Sequence, residues 1–443
     1  MLSDTPKVLH ELSAEPLLTH VLRTVKGLCP RAIHIVLGYG ADLVRGYYAD
    51  EDVRWVMQQE QRGTGHAVKT ALPGVGDGGT VLIVYGDIPL INAAELSTLI
   101  DSTGSNQVAL LTAEFDDPHG YGRIVRDADG KVIGIVEQKD ANAEQLALTE
   151  INTGFIAASR DALAHWLESV SDQNAQEEEY LTDIIAIAVE QGFTVADVRA
   201  SDPVTVTGVN SRSDLALLER HRQKHRAAEY LHQGVTIIDP DRFDARGDVS
   251  FGADCIIDVN VILEGPVKIG NGVRIGPHSI VCRSNLADNV LIKSHCVIEG
   301  AEIGAHAIVG PFARIRPGAR LASNVHIGNF VEIKNSDLAP GAKVNHLSYV
   351  GDSTIGRDVN VGAGVITCNY DGAYKHRTEI GDDVFIGSNS QLVAPVKVGK
   401  GATIGAGSTI TDDVPADMLV VSRVPQKHVE GWERPRKKTG KEN

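Results

Sequence analysis

Cysteine is scarce in this sequence, and its five copies (Cys29, Cys255, Cys282, Cys296, Cys368) stand far apart with no C-x-x-C pair. That spacing argues against a disulfide framework or a zinc site and reads as reduced thiols in a cytosolic protein. Long apolar runs are missing too. None approaches the ~18 residues a membrane span needs, and no signal-peptide pattern opens the chain. Positive charge is in the minority, with 42 Lys+Arg against 58 Asp+Glu and a net charge of −16, which speaks against general nucleic-acid binding. At 443 residues the chain exceeds one hydrophobic core, and two domains are expected.

The stretch from Ile269 to Val414 organises the rest. Aliphatic residues return every sixth position at Ile303, Val309, Ile315, Leu321, Ile327 and Ile333, and again at Ile380, Ile386, Leu392, Val398, Ile404 and Ile410. Leu338, Val344, Val350, Ile355 and Val361 carry the pattern between them, with one five-residue step. Six fits neither a helix nor a plain strand, but it fits a prism of three short strands per coil. A hexapeptide-repeat β-helix follows, about nine coils stacked at roughly 4.8 Å. Gly304, Gly310, Gly328, Gly387 and Gly405 follow inward residues and are expected to bend the corners without Cβ strain. From Thr367 to Glu379 the period lapses into Cys368-Asn369-Tyr370-Asp371-Gly372-Ala373-Tyr374-Lys375-His376, and a loop that a regular solenoid does not need is a functional candidate.

The first half alternates strand and helix patterns. Helices are expected at Pro16 to Lys26, Ala93 to Ile100 and Glu177 to Val189, and strands at Ala32 to Leu37, Thr80 to Tyr85 and Val108 to Thr112. A mostly parallel sheet is the natural reading, with a hairpin at Asp129-Gly130. A polar helix from about Ser213 to Leu231 reads as a bridge, with repeats starting soon after Phe243. The basic stretch from Arg434 to Lys441 reads as a solvated tail.

In open α/β sheets ligands bind beyond the carboxyl ends of strands, where Asp87 follows Tyr85-Gly86. A carboxylate there can hold Mg²⁺ against phosphates, or can be only a turn residue or cap. Gln61-Arg62-Gly63-Thr64-Gly65-His66 suits a nucleotide base or phosphate, or a simple turn. Gly120-Tyr121-Gly122-Arg123 and Glu150-Ile151-Asn152-Thr153-Gly154 are equally open when taken singly. Taken in order with Pro6-Lys7-Val8-Leu9-His10, Glu137 and Gly208-Val209-Asn210, they resemble the sugar-nucleotide pyrophosphorylases.

Joined to hexapeptide repeats, the chain resembles, over nearly its whole length, the family of bacterial bifunctional N-acetylglucosamine-1-phosphate uridylyltransferases and glucosamine-1-phosphate N-acetyltransferases. The resemblance implies an α/β plus all-β chain. A Rossmann-like nucleotidyltransferase domain over 1–212 and a linker helix over 213–234 would precede a left-handed parallel β-helix over 235–443. It implies Mg²⁺ on Asp87 and Asn210, phosphate on Lys7, and UTP or UDP-N-acetylglucosamine on Gln58, Gly63, Thr64, Tyr85, Gly122, Glu137, Asn152 and Asn210. It also implies a cytoplasmic homotrimer supplying peptidoglycan and lipid A synthesis. The family opens with an apolar strand and an L-A-A-G-x-G-T-R loop, and this chain begins just after it. A start codon upstream of Met1 is the leading expectation and a real truncation the other; without the loop, uridylyl transfer is expected to be crippled.

For the second half the resemblance implies acetyl transfer from acetyl-CoA to glucosamine 1-phosphate, giving N-acetylglucosamine 1-phosphate. His346 would be the base, with Arg316 and Lys334 on phosphate and Tyr349 and Asn360 on the sugar. Ala363, Asn369, Tyr370, Ser388, Ala406 and Arg423 would meet acetyl-CoA, Ala363 through an oxyanion-stabilising N–H. A covalent route through Cys368 ranks lower, since no activating base stands beside it in sequence. Two rival readings are an acetyltransferase alone and a non-catalytic regulatory subunit; the intact His346, Arg316 and Asn369-Tyr370 set argues against the latter.

Overall fold

The structure, a computed structural model, describes residues 1, 3–104 and 107–435, so most of the expected basic tail lies outside the described residues. The chain divides into two compact units, 1–225 and 226–443, and the division falls within the helix Arg212–His232.

The first unit is built on a six-stranded sheet with strand order Thr194–Arg199, Gln107–Glu114, Glu150–Ser159, Arg123–Arg126, Val132–Val136, and with Thr80–Ile83 also on Glu150–Ser159. Alternate side chains serve two cores. Val108, Leu110 and Ile156 pack with Trp166 and Ile184 on one face, while Ala109, Leu111 and Phe155 pack with Leu96 and Leu99 on the other. The expectation of a mostly parallel sheet is corrected. Thr194–Arg199 on Gln107–Glu114 is parallel, whereas Glu150–Ser159 lies antiparallel to Gln107–Glu114 and Thr80–Ile83, and Arg123–Arg126 lies antiparallel to Val132–Val136. The hairpin turning at Gly130 (φ 80°) reverses the chain, so the long strand that follows returns through the sheet's middle against its neighbours. A separate parallel pair joins His34–Leu37 to Arg54–Met57.

The expected helix from Glu177 is found only as Asp183–Glu190. Its first turn is pre-empted because Glu179 N donates to Arg62 O (2.7 Å) and Glu179 O accepts from Gly65 N (2.8 Å). Glu177 itself takes a left-handed conformation (φ 55°), which a right-handed helix cannot include.

Among the described residues, the second unit has three parallel faces of eleven, ten and nine strands, starting at Thr236–Ile237, a little ahead of the expected point. On the first face the inward residues stack in register as Val309, Ile327, Val344, Val361, Ile386 and Ile404. Each is essentially fully buried, and such a side chain contributes roughly 1.5–3 kcal/mol. The period lapse is a hairpin bridged by Tyr370 and Lys375, after which Thr378–Ile380 rejoins Ser353–Ile355.

The glycine reading needs correction. Of the five singled out, only Gly310 has positive φ (98°). Left-handed corners are instead occupied by residues such as Asn260, His278, His295, Phe312, Phe330 and Leu347. Gly304, Gly328 and Gly387 are needed because the next coil's backbone lies against them; a Cβ at Gly304 would come within 2.6 Å of Ala322 C. One corner carries a ring ladder, His278 on His295 on Phe312 on Phe330, with centroids 4.9, 4.8 and 5.3 Å apart.

Candidate functional site

In the first unit, a loop and a strand end build one cluster. Gly63 adopts φ 105°, a conformation closed to L side chains, and places Thr64 at the head of helix Thr64–Ala71. Gln58 Nε2 donates to Gly63 O (3.1 Å), and Thr64 Oγ1 accepts from Leu181 N (3.1 Å). The Tyr85 phenol lies beside Thr64, and burial, with Glu137 and Asp87 nearby, pushes it up to about 12. Its ring lies where a Cβ on Gly154 would stand, so that position must be glycine. Asn152 Oδ1 accepts from Gly154 N (2.9 Å), and Asn152 N donates to Gly122 O (2.9 Å). Both Glu137 carboxyl oxygens lie 3.3 Å from a Cβ built on Gly122. Burial raises the Glu137 carboxyl, and Thr182 Oγ1 donates to it at 3.0 Å. Lys7 Nζ bridges Asp87 Oδ2 (2.5 Å) and Asn210 Oδ1 (2.7 Å).

The residues anticipated for nucleotide and sugar thus gather in one unit. Thr182 and Gly154's close approach were not anticipated, and Tyr121 stood only within a motif, with no role of its own. The Tyr121 phenol lies near the Gly208 backbone, two residues before Asn210, and burial raises it above the ordinary phenol range. Nothing in the local pattern around Thr182 marks it, since its role exists only once Glu137 is brought from another strand.

In the second unit the register does the gathering. Asn329 pairs with His346, and the successive pairs Val344–Val361, Val361–Ile386 and Ile386–Ile404 carry the same column on to Ala363, Ser388 and Ala406. His346 is exposed, and its Nδ1 meets Asn329 Oδ1 at 2.8 Å. With the amide oxygen accepting, Nδ1 carries a proton, and in a neutral imidazole that leaves the lone pair on Nε2. Gly364 N donates to His346 O (3.2 Å), which brings the Ala363 corner against the imidazole's own coil. Arg423 Nη1 donates to Ala406 O (3.1 Å) further along.

The next face holds Arg316, Lys334 and Tyr349. Arg316 Nη1 is paired with Glu332 Oε1 at 2.7 Å, and Glu332 is the register partner of Tyr349. The Tyr349 hydroxyl would collide with any Cβ at Gly351, so a glycine lets the ring lie across the strand. Asn369 Nδ2 lies 3.4 Å from the Tyr349 hydroxyl. Asn360 lies on the first face, and Tyr370 on the exposed hairpin, where its hydroxyl donates to Gly372 O (2.6 Å). Asn329, Asp352 and Asn335 were missed. In sequence they are repeat corners, and only stacking gives them partners.

Residues 1–235 match the MobA-like NTP transferase domain, and residues 300–335 and 377–412 match the bacterial transferase hexapeptide (six repeats). The Bifunctional protein GlmU of Alkalilimnicola ehrlichii (strain ATCC BAA-1101 / DSM 17681 / MLHE-1) is 52% identical over 98% of this chain and 94% of its own. That of Marinobacter nauticus (strain ATCC 700491 / DSM 11845 / VT8) is 52% identical over 99% and 96%, and that of Stutzerimonas stutzeri (strain A1501) is 53% identical over 99% and 97%. By this likeness, carried along nearly the full length of chain and relatives alike, the chain belongs to the family of the bifunctional GlmU proteins.

Proposed function

We propose that His346, held by Asn329, is the base of acetyl transfer and that Lys7, Asp87 and Asn210 frame the uridylyl-transfer centre. Family membership makes the chain a bifunctional enzyme of UDP-N-acetylglucosamine synthesis: an acetyltransferase for glucosamine 1-phosphate and a uridylyltransferase for N-acetylglucosamine 1-phosphate. The observation carrying the acetyl-transfer assignment is the single column of Asn329, His346 and Ala363.

In acetyl transfer, His346 Nε2 takes the proton as the substrate amine attacks the thioester carbonyl. The oxyanion forms against the Ala363 backbone N–H, and collapse of the tetrahedral species expels the thiolate of CoA. Arg316 and Lys334 hold the phosphate, and Tyr349 and Asn360 the sugar. Asn369, Tyr370, Ser388, Ala406 and Arg423 receive acetyl-CoA. His346, Tyr370 and Arg423 are all exposed, which suits a site completed by neighbouring copies in a homotrimer.

In uridylyl transfer, Gln58, Gly63 and Thr64 take the base, and Tyr85, Gly122, Glu137 and Asn152 the sugars. Asp87 and Asn210 converge on one cation, the Lys7 ammonium, and two hard oxygens with substrate phosphates and water suit Mg²⁺. When bound there, Mg²⁺ would neutralise phosphate charge. Lys7 would then turn from the two oxygens to a phosphate. A cytoplasmic location goes with this chemistry, and no described helix is long and apolar enough to cross a membrane.

The test is a pair of assays on one preparation: thiol release from acetyl-CoA with glucosamine 1-phosphate, and UDP-N-acetylglucosamine formation from UTP and N-acetylglucosamine 1-phosphate. Absence of thiol release from folded protein would overturn the acetyl-transfer assignment.

A further inference from the structure

Asp352 stands at the corner after the Tyr349 strand, in a left-handed conformation (φ 48°) and only 5% exposed. Its carboxylate is gripped from both sides. Asn335 Nδ2, in the preceding coil, donates to Oδ1 at 2.5 Å, and Asn369 Nδ2, in the following coil, donates to Oδ2 at 2.5 Å. Burial works against the charge. The two amide bonds, with Lys334 and Lys375 nearby, outweigh it, and the carboxyl lies below its ordinary range. An ionised carboxylate only accepts, so each asparagine must turn its NH₂ group inward.

The consequence reaches Asn369. Its NH₂ is committed to Asp352 and to the Tyr349 hydroxyl, its backbone carbonyl accepts from His376 N (2.9 Å), and no bond to its Oδ1 is found among the described residues. Asn369 is itself 8% exposed and sits at the root of the hairpin. We propose that Asp352 is a positioning residue that turns Asn369 so that its carbonyl oxygen, not its NH₂, meets an N–H donor of a substrate. The proposal rests on Asn369 belonging to the acetyl-transfer site. Two N–H sources fit: the amides of the pantetheine arm of acetyl-CoA, and the amine of glucosamine 1-phosphate.

Charge exchange separates this role from that of a corner strut. Asp352→Asn puts an amide against two amides, so one donor loses its acceptor and Asn369 is free to flip. KM should rise about tenfold, the worth of ~1.4 kcal/mol, for the substrate carrying the N–H, while kcat changes less. A rise for acetyl-CoA identifies the pantetheine arm, and a rise for glucosamine 1-phosphate identifies the amine. Combining Asp352→Asn with Asn369→Asp exchanges the two groups. The amide now at position 352 donates to the carboxylate now at position 369 and accepts from Asn335, while position 369 still offers an oxygen to the substrate. That double variant should return both KM values to within about threefold of the parent.

Circular dichroism and thermal melting verify folding of each variant. A folded Asp352→Asn protein with a lower melting temperature and unchanged KM values would make Asp352 a strut and overturn the proposal. So would a folded double variant no better than Asp352→Asn. Asn369→Ala isolates the underlying reading: if it too leaves both KM values unchanged, Asn369 lies outside the substrate site. If it alone raises KM, only the orientation claim fails.

Discussion

At the scale of single residues, the site's chemistry depends on partners that hold a group in one state. His346→Ala should lower acetyl transfer by ~10²–10⁴-fold, the usual worth of a positioned base. Asn329→Ala should cost ~10-fold in kcat, because the imidazole loses the acceptor that fixes its tautomer. An Asn329→Ala enzyme with parental kcat would show that the bond does not orient the base. Lys7 makes a different prediction. Its ammonium already occupies the Asp87 and Asn210 oxygens, so Lys7→Ala should bind Mn²⁺ about three- to tenfold more tightly without nucleotide, the scale of a partly exposed ion pair. Paramagnetic titration reads this directly, and unchanged or weaker binding would end the idea. Asp183 gives a pH test. Burial, then Glu137 and Asp140, raise its carboxyl to about 6. A raised acid contributes stability fully present below its unfolded value near 4 and lost as pH rises through 6. Asp183→Asn should therefore be the more stable protein at pH 8, by about 1 kcal/mol after solvent screening. The advantage should shrink steadily from pH 6 towards 4, and equal melting temperatures at pH 8 would contradict it.

At the scale of elements, the coil stack sets where side chains stand, and glycine's job there is clearance. A Cβ at Gly328 would run into the Asn345 carbonyl of the next coil, one residue before Asn329. Gly328→Ala should cost about 1–3 kcal/mol and lower acetyl transfer with it, while Gly76→Ala, which meets open space, should change neither. Parental melting by Gly328→Ala would mean the coils can part. This clearance was not legible in the six-residue period. A period tells which residues turn inward, and it did so for Val309 through Ile404, but it does not say what lies one coil above a glycine. The same limit explains the first unit. Ala32 to Leu37 and Val108 to Thr112 were readable from local β-branched runs, whereas Glu150 to Gly154 read as a hairpin or a sugar-pocket motif, because the strand character of Glu150–Ser159 depends on being buried on both faces. The helix expected from Glu177 shortened for a related reason, since Glu179 bonds a loop more than a hundred residues away. Sequence-local signals survive, and those decided by a distant partner do not.

At the scale of the whole molecule, each unit carries its own core and, as proposed, its own centre. The buried aliphatic column from Ala227 to Val414 lies in the second unit, while the clusters around Trp166, Phe155, Val44 and Leu218 lie in the first. No residue of the group proposed for uridylyl transfer (Lys7, Asp87, Asn152, Asn210) falls beyond 225, and none of the group proposed for acetyl transfer (Arg316, His346, Asn369) falls before 226. Substitutions in separate cores that share no partner are expected to act additively. Asp87→Ala removes one of two oxygens that converge on a cation, so uridylyl transfer should fall by at least ~10²-fold while acetyl transfer stays within about twofold. His346→Ala should do the reverse. The double variant should then show each loss at the size measured in its single variant. A cross-effect of tenfold or more, with both proteins folded, would mean that the two centres communicate and that cores separate in sequence are not separate in energy.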